Sequence, residues 1–208
     1  MNESVNIEAI RAEALRKVGR NIVNFSKIEA LLKGLLAISQ LVGNGQKISE
    51  QLLRNKTRLR KQTLGFLVEE FYKIFFGDAS QSEPIQDFSD EEFSWSLKVT
   101  YDNPDFFKLQ KRAFKRIVTE RNRLIHQDLA RFDTNSIEDC HNLITVLDEQ
   151  NLRLLAQLEE LMRLIENLKK SLKVFKDLSQ SPDFLETFKD LSQSPDFLQS
   201  IPSNQSNA

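Results

Sequence analysis

A heptad repeat toward the C-terminal end constrains the fold of this chain more than any other feature. Residues at the first and fourth heptad positions, nearly all of them apolar, recur through six heptads over 137–175. This spacing predicts one continuous α-helix of about 40 residues. The first positions are Ile137, Ile144, Asn151, Leu158, Ile165 and Leu172, and the fourth positions are Cys140, Leu147, Leu154, Leu161, Leu168 and Phe175. A helix of this kind has to bury its stripe against other helices or against a second chain.

Two features of the repeat favour different partners for this helix. Asn151 is the one polar residue at a first heptad position. A single asparagine at this position fixes the register of two-stranded coiled coils. Additional apolar residues widen the stripe, and a wide stripe suits the core of a helical bundle. These residues are Leu143, Leu155, Met162 and Leu164. The first half of the helix is expected to pack in a bundle, and the later half to project or dimerise.

Three earlier helices and the start of the long helix follow from apolar periodicity and capping signals. The first is predicted from about Ser4 to Gln40, where "VGNGQK" supplies two glycines for a turn. The second is predicted from about Ile48 to Phe76, and the third from Pro104 to Ala130. Thr134 or Ser136 is expected to cap the fourth, which runs to about Lys176.

A single strand is expected between the second and third helices. In "FSWSLKVTY", 93–101, large apolar residues alternate with serine, lysine and threonine, which is the pattern of a half-buried strand. One strand is not stable alone, so a partner is expected from the preceding linker or from a second subunit. The predicted fold class is therefore all-α, an up-and-down helical bundle with a long C-terminal helix and a small inserted strand or hairpin near 93–101.

The predicted domain organisation separates a helical domain from a tail. Residues 1–177 form the helical domain, with 78–103 as an inserted linker and strand region. Residues 178–208 form a partly disordered tail that carries an internal repeat, since "FKDLSQSPDFL" at 175–185 returns at 188–198. Two copies are too few for a solenoid, and either a tolerated duplication or a short docking motif explains them.

Composition limits the classes of function. The formal net charge is −1, so binding to nucleic acid requires a local cationic patch. One cysteine excludes an internal disulfide framework and a cysteine-built zinc site, and neither a metal nor another cofactor is expected. The chain shows no apolar run of about 20 residues and no secretory signal pattern, so a cytoplasmic protein with no membrane partner is expected.

The stretch "ERNRLIHQDL", 120–129, carries the candidate catalytic residues Arg121, Asn122 and His126. Asn122 and His126 are four residues apart and share a helix face. A histidine transfers protons near neutral pH, and a guanidinium holds a phosphate and stabilises developing charge. The helix leading to the motif is cationic, which predicts a surface for an RNA backbone. Its candidate RNA-binding residues are Lys108, Lys111, Arg112, Lys115, Arg116 and Arg123.

The motif resembles that of the HEPN superfamily: a helical bundle, "RNRLIH" near the end of the third helix, and a long fourth helix. Members carry Arg-x(4 to 6)-His, usually with a polar residue after the arginine, and many are metal-independent ribonucleases in toxin–antitoxin and phage-defence systems. The resemblance implies a homodimer with a composite site built from Arg121, Asn122 and His126. It also implies Glu29 on the first helix as a supporting residue, and an antitoxin or regulatory protein as a further partner. A toxin subgroup continues His-x-Tyr, but here Asp128 takes the place of the tyrosine.

Two readings of function stay open from the sequence. One is a HEPN-type endoribonuclease that cleaves RNA by attack of the 2′-hydroxyl at the dimer site. The other is a non-catalytic helical dimerisation or interaction module that binds protein or RNA through the heptad helix and the repeat tail. A second basic stretch, "RNKTRLRK" at 54–61, is either a solvated helix face or a second edge of an RNA groove.

Overall fold

The computed structural model describes residues 2–43, 45–76, 93–96, 99 and 104–179. It confirms the all-α class, a helical bundle with one small two-stranded sheet. The chain divides into two compact units, residues 1–162 and 163–208. The linker at 78–92, most of 97–103 and the repeat tail lie outside the described residues. Among the described helices, none is long and apolar enough to cross a membrane.

The first long helix agrees with the sequence prediction, but the segment after it does not. Helix α1 spans Asn2–Ile38, close to the predicted bounds. The segment after it was expected to be only a turn, but Gln40–Gly43 forms strand β1. This strand pairs antiparallel with β2, Phe93–Ser96, with Leu41 opposite Trp95. The expected partner from the linker or from a second subunit was therefore wrong, because the strand finds its partner within the same chain about 50 residues earlier.

The predicted second helix is two helices. Helix α2 spans Gly45–Arg60 and α3 spans Leu64–Phe76. Thr63 causes the break, because its hydroxyl accepts a bond from the Phe66 amide at 3.4 Å and caps α3. The Leu67 amide then donates to the Thr63 carbonyl at 3.0 Å and begins the α-helical pattern. A one-turn corner at Lys61–Thr63 thus separates the basic half of the segment from its apolar half.

The third helix has an irregular end. Helix α4 spans Pro104–Arg123, a π-helical turn covers Leu124–Asp128, and a short helix α5 covers Leu129–Arg131. Helix α6 then spans Ile137–Ser179. Of the two predicted caps, Thr134 and Ser136, the cap is Ser136, since the Asp139 amide donates to its hydroxyl at 3.1 Å.

The core of the first unit joins aromatic residues of α3 and α4 to aliphatic residues of α1 and α6. Phe71, Phe75 and Phe114 are buried, and the ring centroids of Phe71 and Phe75 are 4.8 Å apart. On α1, Ile28 and Leu32 are fully buried. These contacts place α4 against α3 and fix the side of α4 that remains free for other contacts.

Helix α6 buries a narrower stripe than its additional apolar residues predicted, because Leu143 is buried whereas Leu155 and Met162 are exposed. The fourth heptad positions Cys140, Leu147 and Leu154 are fully buried, whereas Ile137, a first position, is exposed. Asn151 makes a contact within the chain, since its Oδ1 accepts a hydrogen bond of 2.9 Å from Asn24 Nδ2 on α1. The polar residue of the heptad therefore sets the register of α6 on α1.

Candidate functional site

The motif residues sit where α4 changes into the π-helical turn. Arg121 is half-buried, and Asn122 and His126 are exposed. An Nη atom of Arg121 donates to Asn122 Oδ1 at 3.2 Å, so the amide is in contact with the guanidinium, as an orienting group would be. His126 lies in the middle of the π-helical turn. Short π turns are rare and occur often at functional sites.

The π turn changes which side chains meet along the helix. In an α-helix, residues five apart point about 140° away from each other, because each residue turns the helix by about 100°. The wider turn is closed here by a bond from the Leu129 amide to the Leu124 carbonyl, five residues earlier. Arg123 and Asp128 are five residues apart and are joined by a 3.1 Å bond from Nε to Oδ2, which an ordinary helix would not allow. Arg121 and His126 have the same spacing and straddle the start of the same turn, although no hydrogen bond joins them in the described part of the chain.

Contacts between α3 and α4 locate the motif within the bundle. Going along α4 toward its C-terminal end, Lys111 lies over Tyr72, Lys115 pairs with Glu69, and Val118 packs beside Gly65. The two helices are thus antiparallel, and Gly65 belongs to the first turn of α3. One further turn of α4 reaches Asn122, so the motif lies level with the corner between α2 and α3.

The predicted RNA-binding residues do not form one cationic face. Lys111 and Lys115 face α3, whereas Arg112 and Arg116 line a groove beside α6, and Arg123 lines a second pocket. Lys108 is on the exposed outer side. The sequence predicted one surface because it does not show which neighbouring helix packs against each side of α4.

Acids balance most of these cations. Lys108 pairs with Asp105 at 3.4 Å, Lys115 with Glu69 at 2.9 Å, and Arg116 with Glu120 at 2.8 Å. Arg123 pairs with Asp128 at 3.1 Å within the π-helical turn and its preceding residue. The bond from Lys115 lowers the pKa of Glu69 below its ordinary value, so that carboxylate is charged at neutral pH. Helix α4 is therefore less cationic than its sequence alone indicates.

Helix α2 carries the larger group of uncompensated cations. Its C-terminal half and the corner after it present exposed basic side chains with no ion pair to any described residue. These residues are Arg54, Lys56, Arg58, Arg60 and Lys61. Arg54 and Arg58 are four residues apart and share one face of α2, and Lys61 follows Arg58 by three residues, directly after the helix ends.

Glu29 lies at the same end of the bundle as the motif, and its ion-pair partner is Lys33. Its carboxylate pairs with Lys33 at 2.7 Å, and Lys33 Nζ also donates to the Arg60 carbonyl at 3.1 Å. The pair therefore sits at the C-terminal end of α2, beside the corner level with Asn122. Among the described residues no hydrogen bond or ion pair connects Glu29 to Arg121 or His126.

Sequence reasoning missed residues that only the packing of α4 on α6 brings together. Glu120 Oε1 lies 2.8 Å from the Nε atoms of both Arg116 and Arg153. Arg153 stands on the polar side of the heptad helix, so nothing in the sequence connected it to α4. Its pair with Glu120 crosses between helices that the chain separates by about 30 residues.

The described residues include no cluster of three or more His, Cys, Asp or Glu side chains that could hold a metal ion. Cys140 is fully buried, and burial raises the pKa of its thiol. The neighbouring His141 is exposed. Both are on the first turns of α6, away from the π turn in sequence.

Comparisons with known proteins gave no match: no family model, no curated protein and no solved structure is similar to this chain at a significant level.

Proposed function

We propose that this protein is a metal-independent endoribonuclease of the HEPN type that acts on RNA as a toxin or phage-defence effector. The observation that carries the proposal is the position of the half-buried Arg121 and the exposed Asn122 and His126 where α4 passes into the π-helical turn. Arg121 is already in contact with Asn122, and the turn brings Arg123 and Asp128, which have the same spacing as Arg121 and His126, into contact.

The chemistry needs a proton carrier and a phosphate ligand. The 2′-hydroxyl attacks the adjacent phosphorus, a new P–O bond forms, and the bond to the 5′-oxygen of the next nucleotide breaks. A base takes the proton of the 2′-hydroxyl and an acid gives a proton to the departing oxygen, leaving a 2′,3′-cyclic phosphate and a 5′-hydroxyl. His126 serves in this proton transfer, Arg121 binds the scissile phosphate, and Asn122 holds the guanidinium in place.

One histidine supplies one of the two proton transfers, so a second copy of the motif completes the site. A homodimer with two-fold symmetry would bring both copies together. Exposed apolar residues on α6, Leu152, Leu155 and Met162, are the surface we propose for the second copy. An antitoxin or regulatory protein would be a further partner of this surface or of the motif.

The path of the RNA leads away from the motif over α2. The cations of α4 are mostly occupied by acids, whereas Arg54, Arg58 and Lys61 are free to hold phosphates beside the corner. The stretch at 54–61 is accordingly the main phosphate-binding edge in this proposal, with Arg112 as an α4 cation that has no ion pair among the described residues.

The test is cleavage of total RNA and tRNA by purified protein in EDTA. Wild type is expected to leave 2′,3′-cyclic phosphate ends, and His126→Ala and Arg121→Ala are each expected to lose at least 100-fold in rate. The matched control is His141→Ala, which removes an exposed side chain of the same type as His126 from α6. Equal activity in His126→Ala and His141→Ala would sink the nuclease proposal.

A second candidate is the non-catalytic helical interaction module, which binds a protein or RNA. The ion pairs that occupy Lys108, Lys115, Arg116 and Arg123 favour it, because paired cations give less to an RNA backbone. A folded wild-type dimer that binds RNA without cutting it, with His126→Ala binding equally well, would support this candidate instead.

A further inference from the structure

A groove between α4 and α6 lies on the opposite flank of α4 from the contacts with α3. Its volume is about 310 Å³, at the lower end of the range for small-molecule sites, about 300–1,000 Å³. Its apolar lining comes from Leu109, Ala113 and Ile117 of α4 and Ala156 of α6. Leu109 is 62% exposed, although it is a large aliphatic residue at the mouth of the groove.

Three guanidinium groups surround this lining. Arg112 and Arg116 come from α4 and Arg153 from α6. Glu120 pairs with both Arg116 and Arg153, and Glu149 lies 3.8 Å from Arg153, so two carboxylates face three cations. Arg112 has no ion pair among the described residues. The groove therefore keeps one uncompensated positive charge, and Arg116 retains N–H groups beyond the one that faces Glu120.

Two buried acceptors in the same region have no hydrogen-bond partner in the described part of the chain. They are Oε1 of Gln157, a residue that is only 8% exposed and lines the groove, and Oε2 of Glu120. An orphaned buried acceptor is costly, and native proteins rarely keep one without a reason. A ligand that donates N–H groups would satisfy Gln157.

We propose that this groove binds a small organic anion with N–H donors on a flat apolar body, of the nucleoside monophosphate class. The phosphate binds Arg112 and the free N–H groups of Arg116, where the net charge is positive. The base lies on the aliphatic lining and on guanidinium planes, as unpaired bases commonly do. Its amino group donates to Gln157 Oε1. This site is separate from the motif and does not require that the protein cleave RNA.

Calorimetric titration of the full chain with adenosine 5′-monophosphate tests the proposal. Adenosine and inorganic phosphate are each expected to bind at least tenfold more weakly, because each has only half of the recognised groups. Arg112→Gln is expected to lower affinity for adenosine monophosphate about tenfold. The matched control is Lys27→Gln, which removes an exposed cation of α1 and is expected to change nothing.

Gln157→Met distinguishes recognition from folding. It removes the unpartnered acceptor at similar volume, so the melting temperature is expected to stay the same or rise while affinity for adenosine monophosphate falls about tenfold. Purine riboside 5′-monophosphate, which lacks the amino group, is expected to bind wild type and Gln157→Met equally. The proposal is overturned by no binding of adenosine monophosphate at millimolar concentration, by equal binding to Arg112→Gln, or by octanoate binding as tightly as the nucleotide.

Discussion

At the residue scale, a buried polar layer between α1 and α6 sets how the long helices meet. Asn21 is fully buried, and its Nδ2 donates to the Leu147 carbonyl at 2.8 Å and to Gln150 Oε1 at 2.9 Å. Its Oδ1 accepts from Arg20 Nε at 3.1 Å. With the bond between Asn24 and Asn151, this layer gives a register that apolar stripes alone would leave free to slide.

Removing Asn21 is expected to destabilise the protein strongly. Asn21→Ala leaves Gln150 Oε1 buried without its donor, and an unsatisfied buried group costs about 1–3 kcal/mol. We expect the free energy of unfolding to fall by about 2 kcal/mol in urea denaturation. Asn122→Ala, at an exposed position, serves as the control and is expected to change stability by less than about 0.5 kcal/mol. Similar losses in the two variants would contradict a structural role for the polar layer.

Asp148 gives the same interface a dependence on acid pH. Bonds from Lys17 and then Arg20, opposed by partial burial, hold the pKa of Asp148 below its ordinary value of about 3.9. A depressed folded-state pKa contributes stability above the unfolded value, and this contribution is lost as the pH falls through the folded value.

Asp148→Asn is therefore expected to lower stability at pH 7 but not at the acid end. The loss at pH 7 is expected to be about 1 kcal/mol, since the carboxylate is half-exposed but Lys17 is largely buried. Urea denaturation at pH 7, 4 and 2.5 should show the difference from wild type shrinking with each step. Glu159→Gln, an exposed neighbour on α6, is the control. A difference that stays constant down to pH 2.5 would show that the ion pairs are not its source.

At the element scale, the sequence predicted the helices with strong local signals and missed the features set by distant contacts. The bounds of α1 and α6 follow from long apolar periodicity, and Ser136 was a visible cap. The break at Thr63 lacked a glycine or proline directly at the corner, and β1 depends on pairing with β2 far along the chain. The π turn leaves no local mark on "RNRLIHQDL", so the spacing of Arg121 and His126 was interpreted on an ordinary helix.

Burial along α6 predicts which leucines of the heptad helix matter. Leu154 is fully buried in the first unit, whereas Leu152, two residues away, is 69% exposed. Leu154→Ala is expected to lower the free energy of unfolding by about 2–5 kcal/mol, because it removes buried area and leaves a cavity. Leu152→Ala is expected to lower the free energy of unfolding of the monomer by less than about 0.5 kcal/mol in urea denaturation, which measures both variants. Equal losses of stability in the two variants would mean that Leu154 does not face the core of the bundle.

The π turn itself can be removed by deleting one residue. Deletion of the exposed Gln127 should restore α-helical bonding, and the non-helical link at 132–136 can absorb the shift. His126 would then point away from Arg121, so under the proposed function RNA cleavage is expected to fall at least 100-fold while the far-ultraviolet circular dichroism stays unchanged. Deletion of Gln46, near the start of α2, is a control for the loss of one polar helical residue. Full cleavage by the Gln127 deletion would show that the π turn has no part in the site.

At the scale of the whole molecule, the sequence shows where the cations lie along the chain but not all of the acids that neutralise them after folding. The net charge of −1 hides a local excess of cations, and the sequence located that excess on α4 because five lysines and arginines precede the motif there. Folding brings Glu69, Asp128 and Glu120 onto those cations. The pair of Lys115 with Glu69 joins two helices, so its neutralising effect is a product of tertiary structure, whereas the other two pairs form along one helical segment. From the sequence, the stretch at 54–61 could be either a solvated helix face or an edge of an RNA groove. In the structure its cations keep their charge, because they form no ion pair with any described residue.

Neutralising the shared face of α2 is therefore expected to weaken RNA binding more than neutralising other surface lysines. In a His126→Ala background, which avoids cleavage, the triple variant R54Q/R58Q/K61Q should lose three phosphate contacts. For single-stranded RNA the slope of log affinity against log salt should become shallower by about 2, since each contact contributes about 0.7. The control K27Q/K170Q/K173Q removes the same charge from exposed sites on α1 and α6 and should keep the wild-type slope. Equal slopes for the two triple variants would show that RNA does not bind along α2. If the wild-type protein proves unable to cut RNA and the α2 variant still has the shallower slope, the result would favour a binding module that uses the same surface.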